Sequence, residues 1–165
     1  MSALKFVSLA AIAAAGLTMG QSAFAQDAGG KLFFEGDMVR GHTQDGATGP
    51  SCVLTSEFKR GESVVWRVRV LNDKGEPLGE DGLTNLAVQI SGGDTFDMGY
   101  GWHPRQGQLD QFWATSWRVP KEYPTGTLAY KIVATLADGS TQTWEPFKIP
   151  ASQLTVIDGD VTYTK

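Results

Sequence analysis

The chain has 165 residues, of which 41% are hydrophobic and 19% are charged, and it contains 20 glycines and 7 prolines. These proportions exclude an intrinsically disordered chain and a coiled coil, and the length fits one globular domain rather than several. The formal net charge is −4 and lysine and arginine form no cluster, so the phosphate backbone of a nucleic acid is not an expected partner.

The beginning of the sequence has the pattern of a cleaved export signal. Lys5 is followed by an apolar stretch over residues 6–17, and the small residues Ala23 and Ala25 occupy the positions that a signal peptidase requires. Removal of this segment takes away one lysine and no acid, which moves the net charge from −4 to −5. Beyond it, no apolar run approaches the roughly 20 residues of a membrane-spanning helix, so we expect no membrane span.

We therefore expect a signal peptide at residues 1–25, a flexible leader at 26–30 and a single domain at 31–165. Export places the domain in the periplasm or outside the cell, where disulfides form readily. Cys52 is nevertheless the single cysteine and has no partner for an intrachain disulfide. A domain of this length buries enough surface to be stable without one.

Short β-like runs recur roughly every ten residues along the domain, and no segment has a helical apolar stripe. The clearest run covers residues 63–71, where Val64, Trp66 and Val68 fall on one face, so this face is expected to lie in the core. Further strands are predicted at residues 31–34, 52–58, 86–90, 95–98, 112–119, 128–136, 141–149 and 154–163, the last as an edge strand. The pattern predicts an all-β fold, and the uneven strands favour a sandwich over a closed barrel.

Two glycine-rich stretches interrupt the strand pattern and are predicted to be loops. Residues 36–50 contain four glycines and His42, and residues 100–104 contain Trp102 and His103. A structureless connection as long as the first is uncommon inside a compact domain and is often functional. We therefore expect the individual function of the protein to depend on these two loops.

Three stretches resemble bacterial immunoglobulin-like modules of exported proteins. Residues 58–70 combine a hydrophobic residue, a Gly-Glu turn and an alternating strand, residues 72–78 resemble the polar corner of such modules, and residues 119–140 resemble their penultimate hairpin. The resemblance covers residues 58–149 and implies an immunoglobulin-like β-sandwich. Such modules serve as spacers, as partner-binding domains and, in some periplasmic families, as copper-handling or oxidase-assembly accessories, so the resemblance specifies the fold more closely than the activity.

Signals of catalysis are sparse in this sequence. It has no nucleophile elbow, zinc-protease helix, phosphate-binding loop or dinucleotide-binding fingerprint. Cys52 would form a thiol–imidazole pair with His42 or His103 only if the fold brought them together, and so few residues do not specify such a site. We therefore expect a protein that is not an enzyme.

A copper site is the alternative that the residue types favour, although no cofactor is otherwise expected. Copper binds imidazole, thiolate and thioether groups, and the two predicted loops contain or adjoin both histidines, the cysteine and two methionines. The candidate ligands are His42, Cys52, His103, Met98 and Met38. Their spacing differs from the ligand loop of cupredoxins, which disfavours blue-copper electron transfer, and zinc is disfavoured because paired ligands at short spacing are absent.

Aromatic residues around the second loop favour a binding role. Aromatic faces bind ring compounds and partner proteins. Trp102, which glycine precedes, is expected to be exposed, whereas Phe96 and Trp117 are expected in the core. This distribution predicts a surface that contacts a ligand or a partner.

The sequence therefore predicts an exported, non-catalytic binding or accessory protein. Its partner is expected to be another periplasmic protein or a small ligand, contacted through Tyr100, Trp102, His103 and His42. The alternative is a periplasmic copper-binding accessory protein that uses the histidine, cysteine and methionine ligands named above.

The export signal gives the first testable prediction. The mature protein should begin at Gln26, because Ala23 and Ala25 meet the small-residue requirement of the peptidase. Intact-mass measurement on protein recovered from the producing cell checks this. A mass that retains residues 1–25 would contradict both the cleavage and the predicted compartment.

Overall fold

The computed structural model describes residues 30–41, 52–103, 107 and 109–161. The predicted signal peptide and nearly all of the predicted leader lie outside these described residues, as does His42. No helix within the described ranges is long and apolar enough to cross a membrane.

Twelve β-strands and one short 3₁₀-helix, Pro150–Ser152, make up the regular structure of the described ranges. The strands are β1 Phe33–Arg40, β2 Val53–Leu54, β3 Glu57–Arg60, β4 Ser63–Leu71, β5 Leu83–Ile90, β6 Thr95–Asp97, β7 Gly99–His103, β8 Asp110–Arg118, β9 Gly126–Leu128, β10 Tyr130–Leu136, β11 Thr141–Trp144 and β12 Leu154–Asp160. The prediction of an all-β fold is confirmed.

The strands form three sheets. The five-stranded sheet has the order β2-β1-β4-β8-β7, and the four-stranded sheet has the order β11-β10-β5-β6. Neighbours in both sheets are antiparallel. In the small third sheet, β12 lies between β3, to which it is parallel, and β9, to which it is antiparallel.

Trp66 joins the two large sheets. It lies in the middle of β4 in the five-stranded sheet and is fully buried. Its ring centroid is 6.2 Å from that of Phe96 and 6.0 Å from that of Tyr130, which belong to the four-stranded sheet. Phe96 in turn contacts Trp117 of the first sheet, with 6.2 Å between the ring centroids. Facing sheets that share one apolar core are the arrangement of a β-sandwich.

The predicted core face of β4 is confirmed. Val64, Trp66, Val68 and Val70 are at most 1% exposed, whereas the residues between them are partly exposed. The third sheet adds Phe58, Leu154 and Val156 to the same core.

The predicted loop over residues 36–50 is wrong in its first part, because β1 continues to Arg40. The stretch from Gly36 to Arg40 pairs with β4 from Val68 back to Val64. Pairing with a long, regular neighbour holds Gly36 in an extended conformation, although glycine is by itself a weak strand former. Residues 42–50 of that predicted loop lie outside the described residues.

The predicted loop over residues 100–104 is also wrong as far as His103, because Gly99–His103 forms β7 and pairs with β8. Tyr100 lies on the face of the buried Trp113, and the positions on the opposite face include Gly99 and Gly101. The alternation of a strand is therefore present, but two glycines occupy its outer half and conceal it.

Several predicted strands differ from the observed ones because pairing decides where a strand begins and ends. The predicted run over residues 52–58 divides into β2 and β3, which belong to different sheets, and the predicted run over residues 141–149 ends at Trp144. The predicted run over residues 128–136 divides at Ala129 into β9 and β10, which belong to different sheets. The sequence predicts an edge strand at residues 154–163. The observed strand, β12, is instead the central strand of the small sheet. The hairpin turns after β5 and after β10 agree with the sequence prediction.

Replacement of Trp66 by alanine tests the core assignment. It should lower the free energy of unfolding by about 3–5 kcal/mol, because it removes a buried ring and leaves a cavity between the sheets. Arg67→Ala on the outer face of β4 should cost about 1 kcal/mol, since its ion pair with Asp37 is partly exposed. Urea unfolding of both variants measures the difference, and equal losses would contradict the assignment.

Candidate functional site

The two methionines proposed as copper ligands belong to the core. Met38 lies opposite Trp66 in the β1–β4 register and is 7% exposed, and Met98 lies between β6 and β7 and is 5% exposed. Because both are part of the apolar cluster between the sheets, their thioethers are packing groups and not surface ligands.

Cys52 and His103 lie at opposite edges of the five-stranded sheet. The Cys52 amide donates to the Arg40 carbonyl oxygen beside β2, whereas His103 ends β7. Four strand spacings of about 4.8 Å separate these edges, which gives roughly 19 Å across the sheet. The register adds a further separation along β8, from Trp117 to Asp110. The two residues therefore share neither a copper ion nor a proton.

The other features of a metal or thiol site are equally sparse in the described ranges. Cys52 is exposed, with φ of 58°, and is not packed in the core. No group of three or more histidine, cysteine, aspartate or glutamate side chains among the described residues is arranged to hold a metal ion. His42 lies outside the described residues, so its part in either hypothesis stays a prediction.

The predicted aromatic surface forms a groove of about 480 Å³, which we call the Trp102 groove. It lies where β7 and β8 meet the turn between β4 and β5. Trp102 is 42% exposed, as expected, and Leu109 is 81% exposed. The groove is lined by Glu35, Arg69, Leu71, Gly75, Pro77, Tyr100, Trp102, Leu109, Asp110 and Gln111.

Tyr100 anchors the floor of the Trp102 groove. Its ring lies 5.3 Å from that of the buried Trp113, between centroids, and its hydroxyl is 3.5 Å from Gln111 Oε1. Trp113 Nε1 donates to the Leu78 carbonyl oxygen at 2.9 Å, which ties the strand to the neighbouring turn. Tyr100 is thus half-buried and supports the groove, while Trp102 is presented to solvent.

His103 lies on the opposite face of β7 from Trp102. Its ring centroid is 5.5 Å from that of Phe112, and the guanidinium of Arg67 lies 5.9 Å from the same Phe112 ring. The outer face of β8 therefore carries a small aromatic and cationic cluster. Of the residues predicted to form one surface, the structure brings Tyr100 and Trp102 into one groove and directs His103 away from it.

Charges on the wall of the Trp102 groove are already paired. Arg69 donates to both carboxylate oxygens of Asp110, at 2.7 and 2.6 Å, and to Glu35 at 3.2 Å. The hydrogen bond to Asp110 raises the pKa of Arg69 above its usual value, with Glu35 adding to the effect. The wall therefore presents a fixed array of charges beside the exposed apolar groups.

Strand β7 is an edge strand. Within the described ranges it pairs only with β8, and it is longer than any other edge strand there. A side-chain carbon at Gly99 or Gly101 would meet nothing within 4 Å, so the outer face of this edge is open. The strand contains no lysine and no proline, the residues that commonly protect an edge from further pairing.

A larger cleft, of about 770 Å³, was not predicted from the sequence. We call it the Gln153 cleft; it lies at the end of the four-stranded sheet. Its lining residues are Gln89, Ile90, Ser91, Gly93, Asp94, Thr95, Thr127, Ala129, Tyr130, Lys131, Glu145, Pro146, Lys148, Ile149, Pro150 and Gln153. The exposed hydrophobic residues Phe147 and Ile149, close to Pro146 and Pro150, are the sequence signal that marks this segment as unusual.

Tyr130 separates the Gln153 cleft from a second hollow of about 540 Å³ and lines both. Burial raises the pKa of Tyr130 from 10.0 to about 12, and the negative charge of Asp37 adds to the shift. The phenol is therefore uncharged throughout the neutral range. Tyr130 contributes an aromatic ring and a neutral hydroxyl to the wall, and not an acid–base group.

No protein-family model, curated protein or solved structure matches this chain. The surfaces of the molecule are therefore the features that bear on its function, because a sandwich fold alone does not specify an activity.

The raised pKa of Tyr130 predicts a loss of stability in alkali. The folded form holds its proton up to about pH 12, whereas the unfolded form releases it near 10.0, so stability is complete below pH 10 and falls above it. Between pH 8 and pH 11 the wild type should lose about 1.4 kcal/mol more than Tyr130→Phe. Urea unfolding at the two values measures this, and parallel losses would show that Tyr130 does not titrate as described.

Proposed function

We propose that this chain is an exported, non-catalytic β-sandwich that acts as an accessory protein by binding a polypeptide partner through the Trp102 groove and the free edge of β7. The observation that carries the proposal is the exposure of Trp102 and Leu109 beside an unprotected edge strand. Exposed tryptophan set among apolar neighbours is the residue type that most often dominates protein–protein binding energies.

The edge of β7 favours a polypeptide over a small ligand. An edge strand offers a row of backbone donors and acceptors that an extended segment of another chain can pair with. Gly99 and Gly101 carry no side chain on the outer face, so the side chains of an added strand meet no obstruction at these two positions. Trp102 and Leu109, at the end of the same edge, then provide a pocket for a partner side chain.

The paired charges fix the orientation of a partner at such an interface. Arg69 is held between Glu35 and Asp110, and its side chain is 39% exposed. Binding of a partner does not have to order these side chains, because the ion pairs exist before binding and the entropy cost is correspondingly smaller. Charges at the rim of an apolar patch contribute to specificity and association rate more than to affinity.

An immunoglobulin-like module in the periplasm is the setting that we infer for this activity. The antiparallel sheets, the hairpins after β5 and β10, and the buried tryptophan of β4 support that relationship at the level of architecture. The export signal predicted at residues 1–25 supports the compartment. Copper is not part of the proposal, because Cys52 and His103 are separated and Met38 and Met98 are buried.

Site-specific photo-crosslinking in the producing cell tests the proposal. A photoreactive phenylalanine analogue at position 102 should give a discrete crosslinked species. The same group at Thr143, exposed on β11 of the other sheet, should not. With the partner identified from that species, Trp102→Ala should weaken the purified complex by about 2 kcal/mol, or roughly thirtyfold in Kd.

The matched control is Phe147→Ala, because Phe147 is also an exposed aromatic residue, at 80%, but does not line the Trp102 groove. It should leave the affinity unchanged. Crosslinks of equal yield from positions 102 and 143, or equal losses of affinity in the two alanine variants, would contradict the proposal.

A further inference from the structure

The Gln153 cleft is independent of the Trp102 groove, with which it shares no lining residue. Its floor is the end of the four-stranded sheet, where Ile90 of β5 pairs with Tyr130 of β10. One wall is the turn that joins β5 to β6. The other is the irregular segment that follows β11 and carries Ile149, which is 55% exposed.

Gln153 contributes a buried polar group to this cleft. The residue is 6% exposed, and its Nε2 donates to the Phe147 carbonyl oxygen at 2.6 Å. Its Oε1 has no hydrogen-bond donor among the described residues and is shielded from solvent. A buried acceptor without a donor is uncommon in folded proteins and carries a free-energy cost, so its presence calls for an explanation.

A rotated amide does not supply that explanation. Exchange of Oε1 and Nε2 would place an oxygen 2.6 Å from the Phe147 carbonyl oxygen, where two acceptors repel each other. The hydrogen bond to Phe147 therefore fixes the orientation of the amide. Gln153 Oε1 is therefore an acceptor of fixed orientation in a residue that lines the cleft. A ligand with a donor group would supply its missing hydrogen bond.

The rest of the lining indicates the kind of ligand. A volume of about 770 Å³ falls within the range of small-molecule sites, roughly 300–1,000 Å³. Ile90, Ile149 and Tyr130 provide apolar and aromatic surface. The charged lining residues are two lysines, at 131 and 148, and two acids, Asp94 and Glu145, so the formal charges balance and favour an uncharged ligand over an ion.

We propose that the Gln153 cleft binds a small, uncharged ring compound that carries an N–H or O–H group. The ring packs against Ile90 and Tyr130, and the donor group bonds to Gln153 Oε1. Because Oε1 is shielded from solvent, binding includes a local rearrangement that opens a path from the cleft to this oxygen while the hydrogen bond to the Phe147 carbonyl is kept. Binding satisfies an acceptor that has no donor among the described residues.

Indole and benzofuran are the matched probes, because they have the same shape and differ in an N–H donor against a ring oxygen. Titration of the ¹⁵N-labelled mature protein with indole should give saturable shifts of the Gln153 side-chain amide and of the Ser91 backbone amide. Benzofuran should bind at least about tenfold more weakly, since it leaves Oε1 unpaired.

Thr95→Trp should fill the cleft from its exposed rim and abolish the indole shifts. Thr143→Trp, the same change at an exposed strand position outside the cleft, should leave them intact. If Thr95→Trp lowers the folded fraction, Ser91→Trp fills the cleft from the turn after β5. Absence of saturable indole shifts, equal affinity for the two probes, or unchanged binding in a folded cleft-filled variant would each overturn the proposal.

Discussion

The packing of Trp66 against Phe96 and Tyr130 is the contact on which the rest of the molecule depends. Each large sheet has one apolar face, and these three rings lie where the two faces meet. Trp66 Nε1 has no hydrogen-bond partner among the described residues, so the fold accepts the cost of an unpaired donor for the burial of the whole ring. The relative position of the sheets, and with it every surface at their edges, follows from this contact.

Strands without glycine on their outer face could be predicted from the sequence. The alternation around Trp66 identified β4 and its buried face, because side chains on both faces make the period visible. The alternation in β7 was missed because Gly99 and Gly101 occupy its outer face. The central position of β12 was missed for a different reason, since the choice of neighbour depends on pairing across the fold and not on the composition of the strand.

The candidate sites divide in the same way. The exposure of Trp102 could be predicted because a large aromatic residue next to glycine has few core neighbours in sequence. The separation of Cys52 from His103 could not, since it depends on which strands lie at the two edges of one sheet. The role of Gln153 could not be predicted from the sequence. Its buried, unpaired acceptor results from a contact in the folded protein, in which the Phe147 carbonyl fixes the orientation of the amide.

Ion pairs across the outer face of the five-stranded sheet link the strand register, which buries the core, to the shape of the Trp102 groove. Asp37 of β1 pairs with Arg67 of β4 through two hydrogen bonds of 2.8 and 2.5 Å, and Arg69 bridges Glu35 and Asp110 across three strands. A shift of one residue in the pairing would carry these charges to the core face and the valines of β4 to solvent. Of these side chains, Glu35, Arg69 and Asp110 also line the groove, so the geometry offered to a partner depends on the register that buries Trp66.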